Sequence, residues 1–144
     1  MVVKKLEKAF KMNNEFMKVI KEEALKLNIE STRSNSIGSQ IACLLGARDA
    51  YGKCIVSDTE FSWNPDFKHS DRYNHTIINK HAYDVSNKLI NQISGLEELS
   101  DNQSSLIIDL ISHEYLHQGQ LIRYIYANDL EMPKEMKSFW HLED

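Results

Sequence analysis

The stretch SDNQSSLIIDLISHEYLHQGQLIRYIYAN, from Ser100 to Asn128, decides the fold. Its apolar residues recur at three- and four-residue steps, which is the period of an amphipathic α-helix. The spacing of Ser100 and Gln103 fits a capping box at the start of that helix. At about 100° per residue, one stripe roughly 80° wide contains Leu106, Leu110, His113, His117, Leu121 and Tyr124. The stretch therefore predicts one long helix that turns two histidines toward a protein core.

Three more helical segments precede this one. The first is predicted from about residue 3 to 27, and the second follows the polar residues 28–35, with an apolar face from Ile37 to Ile55. The third spans about residues 74–93. Residues 56–73 contain the turn former Asn64-Pro65 and are predicted to be a long connection. The predicted fold is all-α: a four-helix bundle with a long connection between its second and third helices.

Length and composition describe the class of protein. The 144 residues suit one domain, 1–144, and 42% hydrophobic with 26% charged residues is a globular composition. The formal net charge is -4, and the basic residues are scattered along the chain, so we expect no nucleic-acid partner. No apolar run approaches the ~18 to 20 residues of a membrane span or forms a signal peptide, so we expect a cytoplasmic protein with no membrane partner.

The two cysteines are predicted to be free thiols. Cys43 and Cys54 lie in one predicted helix, which separates them by roughly 16 Å along its axis. A disulfide needs Cα atoms within about 7 Å. Free thiols are consistent with a reducing compartment.

His113 and His117 are the strongest candidates for chemistry. Residues four apart project from the same face of a helix, about 6 Å from each other, so two imidazoles can bind one metal ion. Both histidines lie on the predicted buried stripe, where each polar ring needs a partner. One divalent cation would satisfy both rings. The alternative is that both are core histidines with ordinary hydrogen-bond partners.

The same residues match the HExxH pattern of zinc proteases. In that pattern the histidines bind zinc, and Glu114 would be the general base. The extended motif requires a third histidine where this chain has Arg123, and Gly119 comes one position too early. No strand is predicted to form a substrate-binding edge, so the sequence argues against a protease.

The segment HEYLHQGQLIRYIYANDLEMP, residues 113–133, followed by Trp140, resembles the DinB/YfiT-like superfamily of four-helix proteins. Ser36-Ile37-Gly38, near the start of the second helix, and the long connection extend the resemblance over most of the chain. In that family the histidine pair of the last helix supplies two metal ligands, and a histidine on the second helix usually supplies the third. The resemblance therefore implies a DinB-like metal-dependent enzyme, with zinc or nickel as its cofactor.

The chain departs from the family on its second helix, which contains no histidine. The best-aligned residue is Cys43, and a thiolate is a good zinc ligand, so the resemblance implies a site of Cys43, His113 and His117. However, the helical projection places Cys43 about 120° from the centre of the second helix's apolar face. That projection predicts a thiol that points away from the site.

Other polar residues of the predicted core leave a further alternative. Arg48 and Gln40 lie on or near the apolar face of the second helix, and a buried arginine needs an anion, for which Glu114 is the candidate. Gln40, Arg48, His113, Glu114 and His117 could thus form a polar pocket without metal. In the alternative, Arg48 extends to the end of the bundle and reaches solvent.

The remaining histidines are predicted to be surface residues. His69 and His75 lie in or beside the connection, and His141 lies in the tail. His81, about 80° from the centre of the third helix's apolar face, is held as a reserve third ligand.

Two hypotheses about function follow. In the first, implied by the resemblance, a metal-dependent transferase joins a low-molecular-weight thiol to an electrophilic small-molecule substrate, with hydrolysis as the nearest variant. Here Arg48, Gln40 and Glu114 would be the catalytic and substrate-orienting residues. In the second, a non-catalytic protein of the same fold binds a small ligand or acts as a stress-related dimer, and its site has lost the metal. A homodimer through the first two helices suits both hypotheses.

Overall fold

The computed structural model describes residues 1–142, and this part of the chain is helical with no strand. Four long helices are present: α1 (Val2–Val19), α2 (Ile37–Ser57), α3 (His75–Ser94) and α4 (Asp101–Ala127). A short fifth helix, α5 (Lys134–Phe139), follows them. The predicted all-α class is confirmed.

Helix α4 begins where the sequence predicts. The Ser100 hydroxyl accepts a hydrogen bond from the Gln103 amide, and the Gln103 side chain accepts one from the Ser100 amide. This capping box satisfies two of the backbone donors that a helix start leaves free.

Each long helix packs mainly against two others. Helices α1 and α2 both contact α3 and α4. Contacts between α2 and α4 pair the start of one helix with the end of the other, as in the hydrogen bonds Gln40–His117 and Ile55–Gln103. The two helices are therefore antiparallel, and residues far apart in sequence face each other across one seam.

Helix α1 is shorter than predicted. It ends at Val19 because Ile20 adopts an extended conformation (φ -68°, ψ 137°), and a 3₁₀ turn then covers Glu22–Lys26. The apolar period continues through Ala24 and Leu25, and both are buried. The prediction of one helix to residue 27 is wrong at this point, because residues on either side of a bend can be buried without sharing a helix face.

The connection and the tail both dock on the long helices. Asp49 of α2 accepts hydrogen bonds from the backbone amides of Asp66 (2.9 Å) and Phe67 (2.8 Å) in the connection. In the tail, the Trp140 indole donates to the side-chain oxygen of Gln118 on α4 at 2.6 Å. The Phe139 ring stacks on Tyr115 of the same helix. None of the helices described combines the length and apolarity needed to cross a membrane.

Two glycines allow a matched test of this packing. A Cβ at Gly38 would lie 2.4 Å from the backbone oxygen of Arg72, whereas a Cβ at Gly119 would meet no atom within 4 Å. We expect Gly119→Ala to raise the free energy of unfolding by up to about 1 kcal/mol, because alanine favours the helix. We expect Gly38→Ala to lower it, because backbone atoms must shift. Chemical denaturation of both variants measures the difference, and equal stabilisation by both would contradict the close approach of the connection to α2.

Candidate metal centre

Three side chains with metal-binding atoms converge between α2 and α4. Cys43 comes from α2, and His113 and His117 come from successive turns of α4. Their ligand atoms all lie within 4.8 Å of one another. The Cys43 Sγ lies 3.6 Å from His113 Nε2, and the Nε2 atoms of the two histidines are 3.2 Å apart. This set forms a potential site for one metal ion.

The separations fit the coordination sphere of zinc. Zinc binds imidazole nitrogen at about 2.0 to 2.1 Å and thiolate sulfur at about 2.3 Å in tetrahedral geometry. Those bond lengths require donor atoms about 3.3 Å apart for two nitrogens and about 3.6 Å apart for sulfur and nitrogen. The observed 3.2 Å and 3.6 Å match these two values. The third pair of donors, Cys43 and His117, lies within 4.8 Å.

A hydrogen-bonded chain turns His117 toward this site. The Tyr124 hydroxyl donates to Asn35 Oδ1, and the Gln40 amide nitrogen donates to the same oxygen at 2.8 Å. The Gln40 oxygen must then face His117 Nδ1, 2.5 Å away, so Nδ1 carries the proton. His117 Nε2 is then unprotonated, and its lone pair faces His113 Nε2, 3.2 Å away. An orienting partner of this kind is a recurrent feature of metal-binding histidines.

The protonation states also suit metal binding. Burial and, to a smaller extent, the neighbouring His113 together lower the pKa of His117 to about 4. Burial also lowers the pKa of His113. The charge of Glu114 raises this pKa and the charge of Arg48 lowers it, and the net change is downward. Both rings are therefore neutral near pH 7, which is the form that binds a cation. Burial raises the pKa of the Cys43 thiol, so a cation must displace its proton.

His113 lacks the kind of support that Gln40 gives to His117. Its Nδ1 atom is buried and has no hydrogen-bond partner among the described residues. The His113 ring is half-buried, and its polar contacts in the described part of the chain are with Cys43 and His117. Hydrogen bonds therefore hold this ring only from the side that faces the site. The two histidines are therefore fixed to different degrees.

The position of Cys43 overturns the projection made from the sequence. The thiol points toward α4, not away from it. The projection fails because α2 is buried on nearly every side: α3, α4 and the connection all cover it. The centre of its apolar face therefore does not predict which neighbouring element a given side chain of α2 faces.

The structure pairs Arg48 with Glu114, as the sequence suggests. Both side chains are fully buried, and Arg48 Nε and Nη2 donate to the two Glu114 oxygens at 2.5 and 3.1 Å. The alternative in which Arg48 reaches solvent is wrong. Glu114 also accepts from Asn13, so its carboxylate faces the core and holds no oxygen toward a substrate.

The three residues predicted to be catalytic are thus engaged inside the protein. Gln40 bonds to His117, while Arg48 and Glu114 bond to each other. The protease interpretation, which needs Glu114 as a general base, loses its base for the same reason. The structure gives these residues contacts that hold the site, and it brings none of them to its open side.

His81 lies outside the cluster. Its Nε2 bonds to Asp49 Oδ1 at 2.8 Å, next to the oxygen that anchors the connection. The idea that His81 is a reserve third ligand is therefore wrong, because Asp49 holds it on the α2–α3 side. His69 and His141 are exposed, as expected.

Sequence reasoning missed several polar residues of the core. Asn13, Ser86 and Gln118 are all buried and belong to the hydrogen-bond network around Glu114 and Arg48. Asn13 could have been found, because it falls on the same helical stripe as Phe10 and Met17. Ser86 falls beside Ala82 and Leu89 on the stripe of α3 in the same way, but a small hydroxyl is common on both buried and exposed faces.

Comparison with known proteins adds no relative: no family model, no curated protein and no solved structure matches this chain. The DinB/YfiT-like resemblance therefore stays a prediction.

Proposed function

We propose that this chain is a DinB/YfiT-like four-helix protein in which Cys43, His113 and His117 hold a zinc or nickel ion at an enzymatic site. The observation that carries the proposal is the pair of donor separations, 3.2 Å and 3.6 Å, which suit one tetrahedral ion. Three protein ligands leave a fourth position free. An open position is the mark of catalytic zinc sites, whereas structural sites are closed by four protein ligands.

The arrangement of the helices supports the family part of the proposal. The histidine pair lies on the last long helix, the third donor lies on the second helix, and the long connection follows that helix. These are the places where the family carries its ligands. Cys43 stands where the family usually has histidine, so the ligand set would be Cys-His-His.

The proposed reaction is transfer of a low-molecular-weight thiol to an electrophile. The thiol loses its proton, a sulfur–carbon bond forms, and the leaving group departs from that carbon with the bonding electron pair. A bound divalent cation supplies a lower pKa for a thiol or water at its open position. Gln40 fixes the His117 ring, and the partial exposure of Cys43 and His113 lets small molecules and protons reach the site. With water in place of the thiol, the same site would hydrolyse its substrate.

Metal content tests the ligand set directly. We expect tag-free protein, incubated with zinc and desalted, to retain about one zinc per chain, measured by elemental analysis. Cys43→Ala and His117→Gln each remove a proposed ligand, so each should weaken zinc binding by at least about 10- to 100-fold. That range is the typical cost of losing only a residue that supports a ligand. The matched controls are Cys54→Ala, the other free cysteine of α2, and His81→Gln, a histidine that bonds to Asp49.

The controls decide between outcomes. Metal retained in both controls and lost in both ligand variants supports the Cys-His-His site. A parent protein that retains no zinc, nickel or manganese refutes it and favours the metal-free alternative, a polar pocket of Gln40, Arg48, His113, Glu114 and His117.

Activity requires a separate measurement. We expect the metal-loaded protein to form a thioether from a chlorodinitrobenzene and a small thiol such as cysteine or glutathione, followed by absorbance. Removal of the metal by a chelator, or Cys43→Ala, should reduce the rate to that of the uncatalysed reaction. Cleavage of a nitrophenyl ester without any thiol would favour hydrolysis, and no rate above background in either assay would contradict the enzymatic proposal.

A further inference from the structure

A buried polar layer divides the core of this protein into two apolar clusters. One cluster contains Phe16, Leu44 and Leu121, and the other contains Phe10, Ile55 and Leu110. Between them, each of the four long helices contributes polar side chains. These are Asn13 from α1, Arg48 from α2, Ser86 from α3, and Glu114 and Gln118 from α4, all buried, with the half-buried Asn14 of α1 at the edge of the layer.

The Arg48–Glu114 ion pair lies at the centre of this layer. Arg48 uses all three of its nitrogens, since Nε and Nη2 donate to Glu114 and Nη1 donates to Asn14 (2.7 Å) and Ser86 (3.0 Å). Asn13 donates to Glu114, and Gln118 donates to Asn13 at 3.0 Å. One guanidinium therefore joins all four long helices through directional bonds.

The ion pair spans the same two helices as the metal donors. Cys43 and Arg48 lie five residues apart on α2, and Glu114 lies between His113 and His117 on α4. Any slide or rotation of α2 against α4 that moves Cys43 relative to the histidines must also break the bidentate contact. Apolar contacts do not impose this constraint, because hydrophobic burial is not directional.

We infer that Arg48 and Glu114 are positioning residues of the metal site, and that their ion pair sets the register of α2 against α4 which places Cys43 beside His113 and His117. This inference rests on the proposed function. A buried ion pair is expensive to desolvate, and apolar residues of similar size often stabilise a core equally well. The pair is therefore better explained by the single arrangement that it enforces than by the stability that it adds.

Neither residue is a catalytic residue in this account. Both side chains have no exposed surface, and their hydrogen-bonding groups are used by each other and by the polar layer. They act on the site only through the placement of the two helices.

The test replaces the pair and measures the site with cobalt. Arg48→Met combined with Glu114→Leu removes both charges, and Arg48→Lys keeps the charge but cannot bind a carboxylate through two nitrogens. The double variant removes hydrogen-bond partners of Asn13, Asn14 and Ser86 and could fail to fold for that reason. In that case Arg48→Lys alone tests the inference. Ile93→Ala, a buried apolar truncation on α3, controls for lost stability alone, because α3 contributes no metal donor.

Cobalt(II) titration gives a readout that stability alone does not move. We expect the parent and Ile93→Ala to show the same visible spectrum of tetrahedral cobalt. The double variant should bind cobalt about tenfold more weakly or worse, with a weaker and shifted spectrum, as expected when the support of metal ligands is lost. Arg48→Lys should show the same change to a smaller extent.

A metal-free readout separates this inference from the proposed function. In a Cys54→Ala background with chelator present, iodoacetamide should alkylate Cys43 severalfold faster in either pair variant than in the parent, because the thiol no longer packs against His113. If folded variants keep the cobalt affinity, the spectrum and the alkylation rate of the parent, the positioning role is wrong. A parent that binds no cobalt refutes the metal site, and the alkylation rates then decide alone whether the pair positions Cys43.

Discussion

The buried ion pair between Arg48 and Glu114 constrains this molecule more than any other contact. A charge removed from water must find its partners within the protein, and those of Arg48 come from the other three long helices. The apolar clusters on either side supply most of the burial but would tolerate small sliding of one helix on another. The polar layer excludes such sliding, because each shift would leave a buried donor or acceptor without a partner.

The candidate metal site is a consequence of that constraint. Three donors from two helices can surround one ion only if the helices keep one register, and the ion pair lies between the same helices. On the other side of the site, Gln40 and Asn35 hold the His117 ring from α2 and from the segment before it. The site is thus fixed from the core and from one end, and its remaining side is open to solvent at Cys43 and His113.

The sequence predicts the parts of this structure that depend on local period and capping. The start of α4 at the Ser100 capping box, the long connection and the inward direction of His117 all follow from spacing alone. The pairing of Arg48 with Glu114 follows from the rule that a buried arginine needs an anion.

What the sequence could not show depends on which neighbours cover a helix. A helical projection assumes a single buried side, whereas α2 is enclosed by two helices and the connection, so the projection does not predict the direction of Cys43. The apolar period does not show the end of α1, because Ala24 and Leu25 stay buried after the bend at Ile20. His81 bonds to the Asp49 carboxylate, which also anchors the connection between α2 and α3. Helical periodicity does not predict the path of that connection, so it does not predict the partner of His81.

The most direct test of the central claim is X-ray absorption at the zinc edge of the zinc-loaded protein. The account predicts a first shell with one sulfur at about 2.3 Å and two imidazole nitrogens at about 2.0 to 2.1 Å, completed by one light atom from solvent. A shell of nitrogen and oxygen alone in the parent protein would contradict the claim that Cys43, His113 and His117 bind one ion together.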